Sequence, residues 1–171
     1  MSERRERVVA KTANTAKATD RGSATLATHR RARFDYEILQ SYDAGIALLG
    51  SEVKSIRAGH ATIAEGYCRF KDRELWLFNV HVTPYAPSRD NHEPTRPRKL
   101  LMHRRELLRL QTAMDEQPRT TVIPLRLHLS HGVIKAEIGL ARGKRSYDKR
   151  DSIREREANV TMQRAIRHSV R

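Results

Sequence analysis

The sequence predicts a mainly β protein with helices: a small antiparallel sheet closed or nearly closed into a barrel, helices at its periphery, and a basic tail. Three observations predict it. At least six short stretches alternate apolar and polar residues, as strands with one buried face do. Turn-forming residues separate several of them at hairpin spacing. Two other stretches, one early and one late, carry helical periodicity instead. A chain of 171 residues is long enough to bury one such core without disulfides or a structural metal. Closure removes exposed sheet edges, which favours a barrel; an α+β two-layer sandwich is the alternative arrangement of the same elements.

Residues 1–28 hold almost no large apolar side chain beyond Val8, Val9 and Leu26, and predict a disordered extension. From Arg33 to Leu49 two alternating runs (Phe34, Tyr36, Ile38, then Tyr42, Ile46, Leu48) flank Leu39–Ser41, predicting two antiparallel strands. A short helix follows: Ser51 can cap it, Glu52 complements its positive end, Val53 and Ile56 share a face, and Gly59 supplies a left-handed stop. Strands are expected at Gly66–Phe70 and Glu74–Val82, joined by the charged turn Lys71-Asp72-Arg73. Thr83–Arg98 holds four of the six prolines and is read as a long loop, a candidate contact surface. Over Leu100–Gln117, Leu107, Leu110 and Met114 recur at helical spacing while Arg104, Arg105 and Arg109 take another side. From Thr121 to Ala141 two strongly alternating runs meet at His131-Gly132, a hairpin. Asp148 to about Arg167 favours helix but offers only Ile153, Val160, Met162 and Ile166 for burial, so it should order on a partner. The expected organisation is an extension over residues 1–28, a barrel domain over 29–147 and a basic tail over 148–171. Among small barrels, the oligonucleotide-binding type is the natural candidate.

Charge points to the partner. Lys and Arg total 34 against 20 Asp and Glu, a net +14, and Arg outnumbers Lys. The guanidinium fork grips phosphate at two points and stacks on bases, so the bias favours RNA over a generic acidic surface. The excess is segregated: residues 1–33, 96–140 and 141–171 are each strongly basic, whereas 34–95 carry nine acidic against six basic residues. The lone Cys68 excludes an intramolecular disulfide, no run approaches a membrane span, and the N-terminus lacks the apolar stretch of a signal peptide, so a cytoplasmic protein is expected.

Catalytic machinery and cofactors are not expected. Of the eight histidines, His128 and His131 are three apart on a strand and point to opposite faces, His92 and His103 flank the loop, and no Cys pair or HExxH helix completes a zinc set. Cys68 lies in an apolar strand with no feature to depress its pKa, and no glycine-rich phosphate loop occurs.

Three separated stretches carry a family resemblance: RRARFDYEI…YDAGIALLGSEVKSIRAGHATI, HVTPY…NHEPTRPRKLLMHRREL and GLARGKRSYDKRDSIRERE. They resemble the SmpB family, the tmRNA-binding factors of trans-translation, over roughly residues 28–157. The resemblance implies an oligonucleotide-binding-like barrel that binds the tRNA-like domain of tmRNA and a tail that enters the vacant mRNA channel of a stalled ribosome, near the small-subunit rRNA of the decoding site. Elongation factor Tu and alanyl-tRNA synthetase are implied only as associates reached through tmRNA. By resemblance Tyr36, Asp43 and Lys135 are RNA-binding positions; from residue type alone Tyr36 is equally a core aromatic, Asp43 a turn residue before Ala44-Gly45, and Lys135 an exposed strand lysine. Asp43 departs from the family's usual Glu. Gly143, Lys144, Arg145, Tyr147, Asp148, Lys149 and Arg150 match the ribosome-engaging segment, where Gly143 would let the chain leave the barrel and Tyr147 would stack on a base.

Overall fold

The computed structural model describes residues 24–144 together with Thr161 and Met162, which are helical. Most of the expected N-terminal extension and of the basic tail lies outside the described residues.

The elements run β1 (Ala24–Thr28), α1 (Ala32–Asp35), β2 (Tyr36–Ile46), α2 (Gly50–Arg57), β3 (Ala61–Thr62), β4 (Tyr67–Lys71), β5 (Glu74–Phe78), β6 (His81–Val82), β7 (Arg98–Leu101), α3 (Arg104–Glu116), β8 (Thr120–Ser130) and β9 (Val133–Gly143). Seven strands form one antiparallel sheet in the order β1-β8-β4-β5-β7-β2-β9, and β8 also pairs with β9. That second pairing bends six strands into a ring, the barrel expected from the alternating runs. The ring is thinnest between β4 and β8, joined by the single register pair Cys68–Val122, because β8 gives the rest of that edge to β1. Inside lie Ala44, Ile56, Leu75, Leu77, Leu100, Leu110, Val122, Leu127, Ile134, Ile138 and Leu140, all buried in one cluster. Leu110 of α3 and Ile56 of α2 belong to it, so both amphipathic helices close the barrel with the faces their periodicity marked.

Several boundaries differ from expectation. Residues 36–46 form one strand, not two: β2 pairs with β9 from Tyr36–Gly143 to Gly45–Lys135, and the break in alternation at Leu39 is a bulge in that ladder. A bulge and a turn interrupt the period of two alike, so the pattern alone does not separate them. The N-terminal boundary moves upstream, since Ala24–Thr28 pairs along β8. Glu74–Val82 divides at Asn79, whose φ of 55° turns the chain out of the barrel into β6, which pairs with β3. Ser51 does not cap α2; the cap residue is Leu49, whose N–H donates to Glu52 Oε2 at 2.7 Å. Arg98–Leu101 is a strand, and the late helix starts at Arg104, where Glu106 Oε2 accepts the His103 N–H at 3.1 Å.

The turns match the sequence. Asp72 and Arg73 (φ 52° and 62°) join β4 to β5, and His131-Gly132 (φ 48° and 78°) joins β8 to β9, both with the paired positive φ of tight hairpins. Gly59, at φ 82°, ends α2 as expected.

Candidate nucleic-acid interface

The outer face of β2, β9 and β8 gathers the residues singled out in the sequence. Because Ala136, Ile138 and Leu140 of β9 point inward, Lys135, Glu137, Gly139 and Ala141 point outward. Register then assigns the neighbours. Asp43 lies opposite Glu137, and Glu137 opposite Arg126; Gly45 lies opposite Lys135, and Lys135 opposite His128. Asp43 is therefore a mid-strand residue rather than the start of a turn.

The same face changes character along its length. Towards the far end of β2, Tyr36 and Ile38 pack against a second small apolar cluster of Ala32, Ile123, Leu125 and Ala141. Gly139 permits this: a Cβ there would come within 3.1 Å of a Leu125 methyl and 3.2 Å of Ile38. Tyr36 is half-buried against this cluster. The polar end carries Asp43, Lys135, Glu137, Arg126 and His128, with Arg126 paired to Glu137. Asp43 is 53% exposed, and His128 Nε2 stands 3.6 Å from its Oδ2. Beyond Gly45 the face is bordered by Leu101 of β7, an apolar side chain left 51% exposed.

The tail residues divide. Gly143 is still paired with Tyr36 and its φ is not positive, so it is the last residue of the barrel rather than the exit from it. Lys144 donates from its backbone N–H to Asp35 O and from Nζ to Arg33 O, both at 3.0 Å, fastening the end of β9 to α1. Arg145, Tyr147, Asp148, Lys149 and Arg150 lie outside the described residues.

The loop between β6 and β7 is held by charge. Glu52 is fully buried and Arg98 is 1% exposed; Arg98 Nε donates to Glu52 Oε1 at 2.9 Å, and Arg96 Nε donates to the same oxygen at 2.8 Å. Arg98 also donates to the carbonyls of Val80, Arg96 and Pro94, so its guanidinium ties two backbone positions of the loop to the segment before β6. Burial by itself would raise the Glu52 carboxyl, but the hydrogen bonds from Arg96 and the Leu49 N–H, with the Arg98 and Arg96 charges, hold it below the usual carboxylate range. His92 is buried beside them: its Nε2–H donates to Val82 O, which leaves Nδ1 to accept from the Ser51 hydroxyl, each at 3.0 Å. The long loop is thus an anchored segment. Burial pushes the Cys68 thiol up, which keeps it protonated and inert. Among the described residues no three His, Cys, Asp or Glu side chains converge on a metal site, and no helix is long and apolar enough to cross a membrane.

Sequence reading missed His128 and Leu101 as members of the face. On the sequence His128 reads only as a candidate metal ligand and Leu101 as part of the late helix; the His103-to-Glu106 spacing, a capping signal, marks where that helix starts.

A ring of six antiparallel strands with helices at its periphery defines a small barrel of the oligonucleotide-binding kind. The family model described as SmpB protein matches residues 26–168. Relatives named SsrA-binding protein are 52% identical over 152 residues in Synechococcus sp. (strain JA-3-3Ab), spanning 88% of this chain and 98% of that one, and 53% identical over 148 residues in Roseiflexus sp. (strain RS-1), spanning 85% and 93%. A chain of the solved assembly described as "tmRNA-SmpB: a journey to the center of the bacterial ribosome" superposes with a TM-score of 0.61 at 44% identity, over 77% of this chain and 96% of that one. The chain belongs to the SmpB family.

Proposed function

We propose that this protein binds the tRNA-like domain of tmRNA through the outer face of β2, β9 and β8, and delivers it to stalled ribosomes in trans-translation. The observation that carries the reading is the register: Tyr36 and Asp43 of β2 and the distant Lys135 of β9, each ambiguous alone, lie on one outer face of one three-stranded segment. Their chemistry is complementary. Lys135 meets phosphate, Asp43 accepts hydrogen bonds from base or ribose donors and so selects among them, and Tyr36 offers a ring surface. The relatives' names and the neighbouring assembly support tmRNA and the ribosome as partners.

In this reading the segment from Arg145 onward serves the ribosome. Its cations meet rRNA phosphates in the vacant mRNA channel, and Tyr147 stacks near the decoding site. Lys144 sets the origin of that segment by tying it to α1. The protein acts as a binding module, without a catalytic step of its own, and works in the cytoplasm where ribosomes stall.

Competition binding tests the reading. At one fixed salt concentration, the tRNA-like domain should displace labelled tmRNA at far lower concentration than an unrelated RNA of equal length. Equal displacement by both would reduce the protein to a general RNA binder.

A further inference from the structure

We infer that His128 is a positioning residue for Asp43, and that the two act as one hydrogen-bonding unit in the RNA interface. The inference rests on the tmRNA-binding reading above and adds to it a residue that the family resemblance did not supply.

His128 is 3% exposed although it lies on the outer side of the barrel, between its ladder partners Lys135 on β9 and Thr25 on β1. Its Nδ1 is, among the described residues, the one buried side-chain nitrogen or oxygen with no hydrogen-bond partner. Its Nε2 faces Asp43 Oδ2 at 3.6 Å, reaching diagonally across β9. These facts choose the tautomer. A proton on Nδ1 would bury an unsatisfied donor and turn the Nε2 lone pair towards a carboxylate, an arrangement unfavourable at both nitrogens. A proton on Nε2 points the ring dipole at Asp43 and leaves only an acceptor unpaired at Nδ1, the cheaper of the two defects.

The consequence falls on Asp43. An exposed aspartate on a face that receives phosphates is repelled by them and is free to rotate, so both its charge and its geometry oppose selective binding. His128 offsets the charge at one oxygen and fixes the carboxylate plane, and a sub-ångström approach converts the 3.6 Å contact into a hydrogen bond. Oδ1 is then presented to the RNA as an oriented acceptor. The neighbouring charges do not replace this contact: Arg126 is committed to Glu137, and Lys135 forms no ion pair with Asp43.

The test is a double-mutant cycle on the full-length protein with a transcript of the tRNA-like domain as ligand. His128→Phe keeps the buried ring and removes the donor; Asp43→Ala removes the acceptor; His128→Gln returns an N–H near the Nε2 position. We expect Asp43→Ala and His128→Phe each to weaken binding about tenfold, as for loss of a hydrogen bond to a charged group. The double variant should be little worse than either, and His128→Gln should recover most of the affinity, which a purely space-filling role would not produce. Weakening by Asp43→Ala with wild-type affinity for His128→Phe, or additive losses, would overturn the positioning role while leaving the interface standing. No effect of Asp43→Ala would remove Asp43 from the interface and the inference with it. Should a His128 variant not fold, long-range ¹H–¹⁵N spectra of the wild-type protein decide: the Nε2–H tautomer is required, and a proton on Nδ1 alone refutes the proposal.

Discussion

At the scale of single residues, the proposed interface on β2, β9 and β8 separates contacts that add affinity from contacts that choose the ligand. In that reading Lys135 is of the first kind: it lies on the outer face of β9 between Gly45 and His128, where its ammonium would meet a phosphate. Lys135→Ala should weaken binding to the tRNA-like domain and lower the slope of log K against log salt by about one, as expected for one lost phosphate contact. Titrations at four or five salt concentrations measure both; an unchanged slope removes Lys135 from the contact. Gly66 illustrates a different constraint. A Cβ there would meet Val80 at 2.7 Å, Pro124 at 2.9 Å and the Ile63 carbonyl at 3.1 Å, and neither the proline ring nor the backbone yields easily. Gly66→Ala should therefore destabilise the fold by roughly 1–3 kcal/mol through overpacking, read as a lower denaturation midpoint.

At the scale of elements, the joint between α2 and the β6–β7 loop depends on Glu52. Arg96 of the loop and Arg98 at the start of β7 converge on it, and the Leu49 N–H reaches it from the N-cap of α2. Removing one partner of a buried ion pair leaves the other charge without compensation, so Glu52→Gln should cost about 3–5 kcal/mol in chemical denaturation. The pH dependence has a definite sign. The folded-state pKa of Glu52 lies below its unfolded value, so the unfolded chain takes up the proton first as pH falls. Its contribution is full above the ordinary glutamate pKa of about 4.3 and is lost as pH drops through the depressed folded value. Denaturation midpoints measured between neutrality and about pH 3 should fall more steeply for the wild type than for Glu52→Gln.

At the scale of the whole molecule, the proposed reading divides two RNA-facing functions along the chain. The ring closes through the β8–β9 pairing, the β2–β9 ladder ends at Tyr36–Gly143, and Lys144 ties off the last strand, so residues 24–144 hold the core and the proposed tmRNA face together. Truncation before Asp148 should leave affinity for the tRNA-like domain nearly unchanged and abolish tagging on stalled ribosomes. Within the tail, Tyr147→Ala should impair tagging more than Arg167→Ala. A stacked aromatic contributes about 1–3 kcal/mol per base, whereas one cation among ten basic residues after Leu140 is replaceable by its neighbours. Parallel tagging and binding assays check both; equal losses in the two assays on truncation would contradict the division.

What the sequence determined by itself was whatever depends on short-range chemistry. Period-two alternation defined the β8–β9 hairpin, His131-Gly132 its turn, the Leu107, Leu110 and Met114 spacing the buried side of α3, and the segregated arginines an RNA partner. Tertiary structure decided what depends on which strand lies beside which. Whether the break at Leu39 was a turn or a bulge followed only from the full-length ladder with β9, and Arg98–Leu101 became a strand because β5 and β2 offered edges on either side. The same holds for the site. Residue types at positions 36, 43 and 135 admitted a core, a turn or a surface reading, and register alone placed them on one face. The proposed role of His128 arises only there, because its neighbour Asp43 lies 85 positions away in the chain and two strands away in the sheet. Local patterns encode secondary structure and charge; long-range pairing assigns each side chain its neighbours, and the neighbours determine its chemistry.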